Sequence, residues 1–337
     1  MRFGLSLPHY GFSLPGGAPI TVEAMGGWAR RAEDLGFDSV WVSDHFFYSF
    51  GRYGADPAPI AALEPLTSLA ALSGLTERVR LGVLVLGAPF RHPAMVARAA
   101  ATIDRLSNGR LELGIGAGWL PDEFDAFGYR FGSTGERFEA LEDALAVLRA
   151  LFDADGPVSY EGRAVRLHDA VLAPSPVQRP VPVWAGGKGG PRLLRLAARY
   201  ATGWNYVWRF TDAWYRGKLD DVAAACEAVG RDPATFRRTV GLYSLLGQDD
   251  RGARAAFARG QAAMPGAALA AETYESWCAD TLSGTPEKAI ERIGALEAMG
   301  VEEVVVAPWV LPFAVPEPEQ VELFAERVLR PLRTRSR

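Results

Sequence analysis

Leu81-Gly-Val-Leu-Val-Leu-Gly87, a turn ending at His92-Pro93, helical spacing at Val96, Ala99, Ala100, Ile103 and Leu106, then Arg110-Leu-Glu-Leu-Gly-Ile-Gly-Ala-Gly-Trp119: this stretch decides the fold. Both apolar runs are continuous rather than alternating, as in parallel strands covered on both faces. Asn108-Gly109 closes the intervening helix with left-handed residues. Strand, right-handed helix and parallel strand make a βαβ unit. Both strands end in glycines, which let a backbone turn sharply or approach a flat ligand.

Outward from this unit the alternation continues. Phe3–Pro8 reads as a strand and 22–35 as its helix, with Met25, Trp28, Ala29 and Ala32 on one face. Phe37–Ser43 is the second strand and 65–75 the helix after it. Helix 136–152 follows the central unit. Strands are then read at Pro182–Gly187, Gly203–Val207, Val240–Leu246 and Glu303–Ala307, with helices at 192–200, 212–229, 286–299 (Thr285 as its N-cap) and 317–329. Eight such units in residues 1–337 predict one α/β domain, a (β/α)8 TIM barrel with loop insertions near 46–63, 117–135, 157–174 and 249–282. An open doubly wound sheet is the alternative for the same alternation, but no linker composition divides the chain.

Bulk properties narrow the function. The 337 residues are 49% hydrophobic with a net charge of −4, which argues against a nucleic-acid surface. No apolar run nears the roughly 18 residues of a membrane helix, and no signal-peptide pattern opens the sequence. Cys226 and Cys278 form neither a disulfide framework nor a metal spacing. The expectation is a soluble, cytoplasmic protein acting on a small molecule, with no nucleic acid, membrane or metal partner.

In a barrel the site forms at the C-terminal ends of the strands. Those ends carry His9, Ser43-Asp44-His45, Gly116-Ala-Gly-Trp119, Gly186-Gly-Lys188, Asn205 and Trp309. They lack a cluster of acids and histidines suited to a metal, and a serine in a nucleophile elbow. Glycine loops, one base and aromatic walls suit a large planar cofactor with a phosphate. Gly186-Gly187-Lys188, between strand and helix, offers backbone N–H groups and a charge to an anion, or is simply a packing turn. Gly114-Ile-Gly-Ala-Gly118 has Trp119 where a dinucleotide fingerprint needs its third glycine. A histidine can donate or accept a proton near neutral pH, and Asp44 beside His45 can orient a ring or hydrogen-bond a cofactor; a satisfied structural histidine is the alternative, for His9 too. Phe46, Phe47, Tyr48, Trp119, Trp208 and Trp309, with His9, read either as the wall of an apolar substrate pocket or as loop packing.

These residues resemble the luciferase-like flavin and deazaflavin oxidoreductase family. The resemblance rests on Ala32–Phe46, Arg80–Pro93, Ala101–Trp119, Pro180–Gly187, Ala197–Trp204 and Gly284-Thr-Pro286, in family order over nearly the whole chain. It implies a bacterial luciferase-like barrel, a homodimer, and a flavin or coenzyme F420 at the strand ends. Asp44-His45 resembles the F420-dependent branch. That branch places Asp44 on the cofactor's polar edge and His45 as the catalytic proton donor or acceptor. A bulge with a non-prolyl cis peptide would lie near Val83, Leu84 and Val85, behind the ring. Gly116, Ala117, Gly118, Gly186, Gly187 and Lys188 would approach the ring and phosphate. Sugar-phosphate dehydrogenases of the branch carry a glutamate where Trp119 stands, and a tryptophan where Tyr48-Ser49 stands, so the resemblance implies a different substrate. The implied activity is F420-dependent hydride transfer to or from a small apolar or ring-containing substrate. The alternatives are an FMN-dependent monooxygenase served by a reductase, a cofactor-binding protein without catalysis, and a barrel without a cofactor.

Overall fold

The computed structural model describes residues 1–335. Eight parallel strands close into a barrel: β1 Arg2–Ser6, β2 Ser39–Val42, β3 Arg80–Gly87, β4 Leu111–Gly116, β5 Val183–Gly186, β6 Gly203–Trp208, β7 Arg237–Tyr243 and β8 Glu303–Ala307. Each pairs with its sequence neighbours, and β1 closes on β8 through Phe3↔Val304 and Leu5↔Val306. The open-sheet alternative is thereby excluded. The helices are α1 Val22–Leu35, α2 Pro65–Ser73, α3 Pro93–Leu106, α4 Pro121–Ala126, α5 Thr134–Asp153, α6 Pro191–Tyr200, α7 Asp212–Glu227, α8 Asp250–Ala263, α9 Tyr274–Asp280, α10 Pro286–Ala298, α11 Pro318–Phe324 and α12 Arg330–Arg335. No helix among the described residues is long and apolar enough to cross a membrane.

Local chemistry accounts for most boundaries. Thr21, Thr211 and Asp249 accept N–H bonds at the starts of α1, α7 and α8, and Ser133 with Glu136 forms a reciprocal capping box on α5. Asn108 and Gly109 take φ of 53° and 81°, the left-handed stop read from the sequence. Thr285 precedes α10 as expected, but its side chain accepts no capping bond. The insertion at 117–135 is not all loop, since it contains α4. The segment 158–170 is an antiparallel hairpin, and 249–282 folds as α8 and α9.

The main core lies between the outward strand faces and the helices. Inside the barrel, Trp41 spans the floor because both flanking strands carry glycine. A Cβ at Gly82 would sit 2.2 Å from Trp41 Cε3, and one at Gly4 2.6 Å from Nε1. The Trp41 indole donates to Ser39 Oγ at 2.8 Å, that hydroxyl donates to Glu303, and Trp184 Nε1 donates to Glu112 Oε2 at 2.6 Å. Both glutamates are fully buried, with Arg2 contacting each and Arg80 contacting Glu112. Burial, followed by repulsion from Glu112, pushes the Glu303 carboxyl above its ordinary value against the pull of Arg2. This network fills the barrel interior at its N-terminal end.

Candidate active site

His45 lies just past β2, with its imidazole half-buried. Its Nδ1 is 2.8 Å from Glu123 Oε2, and Glu123 Oε1 accepts the Phe46 N–H at 2.7 Å. Glu123 is 2% exposed, on the first turn of α4. A carboxylate accepts only, so a neutral ring facing it carries its proton on Nδ1 and turns the Nε2 lone pair away from Glu123, where among the described residues it meets no partner. The expectation of a loop over 117–135 leaves Glu123 out of the candidates. Pro121 followed by Asp122-Glu123 is a helix-start signal that marks it.

Asp44 occupies a different position from the one expected. Buried at the strand end, it accepts from Gly87 N at 2.8 Å and from both terminal nitrogens of Arg91, at 2.6 and 2.8 Å. Arg91 reaches Glu64 at 2.9 Å as well. Burial opposes the Arg91 charge, but the two carboxylates outweigh it and hold its pKa above the ordinary value. Both Asp44 oxygens are thus already engaged, and the residue pins the end of β3 rather than standing free for a cofactor edge.

Strand β3 bulges between Val83 and Leu86, where it gains one residue against β4, and the Leu84–Val85 peptide is cis, as the resemblance placed it. Val207–Trp208 is a second non-prolyl cis peptide that the sequence reading did not include. The strand-end glycines serve the bulge directly. A Cβ at Gly186 would lie 2.5 Å from Val85 Cγ1, one at Gly116 2.9 Å from Cγ2, and one at Gly114 2.3 Å from the Val83 carbonyl oxygen. Val85 is consequently seated on bare backbone, half-exposed while Leu84 and Leu86 are buried. Beyond it Ala117 is half-buried, Gly118 and Gly187 have φ of 72° and 147°, and Lys188 is exposed, with no partner among the described residues. Bare glycine backbone around an apolar ledge, with a free lysine at the turn, fits a planar ring carrying an anionic tail.

The aromatic candidates divide. His9, Tyr48, Trp119 and Trp208 converge on the strand ends. His9 is fully buried, edge-on to Tyr10 at 5.4 Å and Phe313 at 6.5 Å, with no hydrogen-bond partner for either ring nitrogen. Burial, then the neighbouring His45, pushes its pKa down to about 3, so it stays neutral. Trp119 is 54% exposed and meets the His45 ring edge-on at 5.9 Å. Trp208 lies between Tyr243 and Phe313 at 5.8 and 5.4 Å. Three candidates are corrected. Phe46 stacks on Phe127 at 4.3 Å and packs on Phe90, and Phe47 also turns toward Phe127. Both therefore pack the loop against α4 instead of lining a pocket. Trp309 is buried with Phe257 and Trp277 beneath α8 and α9. Tyr10 and Arg52, absent from the sequence reading, join the convergent group: Tyr10 bonds Ser43 Oγ at 2.5 Å, and Arg52 lies over Trp119.

A cavity of about 660 Å³ opens at the opposite end of the barrel, lined by Arg149, Arg231 and Arg237 among others. Of its arginines, Arg149 pairs with Asp153, Arg237 with Glu302 and Arg231 with four backbone carbonyls, while Arg199 lies over the Tyr200 ring. Among the described residues no group of three His, Cys, Asp or Glu gathers at metal-binding distance.

Residues 1–303 match the luciferase-like monooxygenase family. The chain belongs to that family. Among curated relatives, an F420-dependent glucose-6-phosphate dehydrogenase of Amycolatopsis mediterranei is 39% identical over 52% of this chain and 50% of its own length. A phthiodiolone/phenolphthiodiolone dimycocerosates ketoreductase of Mycobacterium tuberculosis is 36% identical over 69% of this chain and 64% of its own. The matches span about half to two-thirds of these relatives' lengths. The structure of an F420-dependent secondary alcohol dehydrogenase superposes with a TM-score of 0.77 over 97% of this chain and 98% of that one; at 20% identity this shows a shared fold.

Proposed function

We propose that this family member is an F420-dependent oxidoreductase that moves a hydride between the deazaflavin C5 and a small organic substrate. The observation that carries the reading is the His45–Glu123 pair, one strand from the Val85 ledge, because β2 and β3 are in register at Val42↔Val83. The names of the curated relatives support the cofactor. Bound F420 supplies the hydride chemistry at C5.

The chain's own residues then bind, orient and move a proton. Val85, seated over Gly116 and Gly186, would back the ring, Ala117 and Gly118 would offer it backbone, and Gly187 with Lys188 would meet the anionic tail. In the oxidative direction His45 Nε2 accepts the proton that the substrate loses with its hydride, and Glu123 stabilises the resulting imidazolium through Nδ1. In the reductive direction Nε2 returns that proton. Tyr48, Trp119 and Trp208 keep water from the reacting carbon. A homodimer accompanies this reading: α2 carries no charged residue, and α3 exposes Met95 and Leu106 at 57% and 59%.

The test is a fluorescence titration with F420 and FMN side by side, followed by turnover of His45→Ala. Micromolar F420 binding, weak FMN binding and loss of turnover by about 10²–10⁴-fold are expected. Preference for FMN, with oxygen-dependent product formation, sends the assignment to a monooxygenase needing a flavin reductase. Unchanged turnover in His45→Ala removes the histidine from the mechanism.

A further inference from the structure

The loop over the site holds a cation without a counter-ion. Arg52, at Gly51–Tyr53, stacks on three rings, with its guanidinium carbon 4.4 Å from the Tyr53 centroid, 4.8 Å from Trp119 and 5.5 Å from Tyr48. Its Nη2 donates to the Tyr48 hydroxyl at 3.2 Å and to the Tyr53 hydroxyl. Among the described residues Nε and Nη1 have no acceptor, and no carboxylate lies within ion-pairing distance of Arg52. Nearby arginines at the strand ends are neutralised: Arg91 by Asp44 and Glu64, Arg209 by Glu272 and Asp280. The Tyr48 phenol does not supply the missing charge, since burial pushes it further above its ordinary value.

Three aromatic faces fix the plane of this guanidinium and strip part of its hydration, while two N–H edges stay open. That arrangement prepares a bidentate receptor for a planar or tetrahedral anion. The place matters as much as the chemistry. The Trp119 ring that Arg52 covers is the one that meets His45 edge-on, so a single indole separates the cation from the proton-transfer group.

We propose that Arg52 receives an anionic group, carboxylate or phosphate, on the substrate, so that the pocket takes an apolar or ring-bearing molecule with a negatively charged end. This rests on the reading of the strand ends as a substrate site, and it deepens that reading from a small organic molecule to an organic anion. Arg52 is a specificity-determining residue here, with no part in proton transfer.

The experiment measures calorimetric binding of benzoate, phenyl phosphate and the neutral isostere benzamide, with and without F420. It uses the wild type, Arg52→Gln, Arg52→Lys and His45→Ala proteins. Arg52 is exposed, so its variants retain the fold, which thermal denaturation verifies. Wild type and His45→Ala are expected to bind at least one anion at least about tenfold more tightly than benzamide. Arg52→Gln should lose that preference, and Arg52→Lys should recover part of it, because lysine keeps the charge but loses the planar fork. Benzoate-only or phenyl-phosphate-only binding tells which anion the receptor takes. Equal affinity for benzamide, undiminished anion binding by Arg52→Gln, or no binding of either anion overturns the proposal. Because the probes are tested without F420 too, failure of cofactor binding and failure of anion selection are separate results.

Discussion

Glu123→Gln tests the site at its least expected member. The native carboxylate holds His45 Nδ1–H at 2.8 Å and the Phe46 N–H at 2.7 Å in a buried position. Hydrogen bonds to a charged acceptor contribute roughly 1.5–3 kcal/mol each. Glutamine keeps the shape, and its carbonyl can still accept from Phe46. Its amide must then donate to Nδ1, which moves the imidazole proton to Nε2 and takes the base away from the substrate side. The stability cost is therefore limited to about 1–2 kcal/mol, while turnover loses most of the roughly 10²–10⁴-fold that a positioned base supplies. That corresponds to about 2.7–5.4 kcal/mol of barrier at 1.36 kcal/mol per tenfold. Steady-state rates follow the change in F420 fluorescence, with KM and kcat separated. Nitrogen NMR of the imidazole reports the tautomer without any substrate. The expected outcome is a fall in kcat with F420 affinity retained, and the ring proton relocated to Nε2. Turnover within about threefold of wild type, with the proton still on Nδ1, would refute the reasoning.

Other consequences follow from the surrounding network. Asp44→Asn removes the charge that the Arg91 fork meets while sparing the Gly87 N–H bond. Breaking a buried pair costs about 3–5 kcal/mol, and because Arg91 is 19% exposed and keeps Glu64, about 2–3 kcal/mol is expected here by denaturant unfolding. A loss below about 0.5 kcal/mol would show that Asp44 does not pin the end of β3. At the barrel floor, the raised Glu303 pKa means that the folded state binds the proton more tightly than the unfolded chain. Its contribution to stability is complete below the ordinary value of 4.5 and is lost as pH rises through the raised folded value. Glu303→Gln should remove that decline, so its stability relative to wild type should improve from pH 4.5 upward. An unchanged difference across this range contradicts the assignment.

Much of the fold was written in local pattern. Continuous apolar runs at Leu81–Gly87 and Leu111–Gly116, separated by a helix with an Asn108-Gly109 stop, specify parallel strands and a crossover whatever surrounds them. Repeated to the end of the chain, that pattern leads to the closed barrel, and strand ends become the place to look for chemistry. His45 followed from this, as did the Val83–Val85 bulge once the family resemblance was added. Tertiary structure decided what each candidate touches. Glu123 is 78 residues from His45 in sequence, and only the docking of α4 against the end of β2 joins them. Asp44, adjacent to His45 in the chain, points instead to Arg91 on the turn after β3. Glycines that read as ligand contacts at 116 and 186 make room for Val85, because the close approach belongs to neighbouring strands. Phe46 and Trp309 have the composition of pocket walls, yet a large apolar side chain goes wherever burial is available, and composition does not say which surface will cover it. Periodicity is a property of one segment and is readable there. Pairing of charges and the facing of rings depend on segments that meet only after the barrel closes.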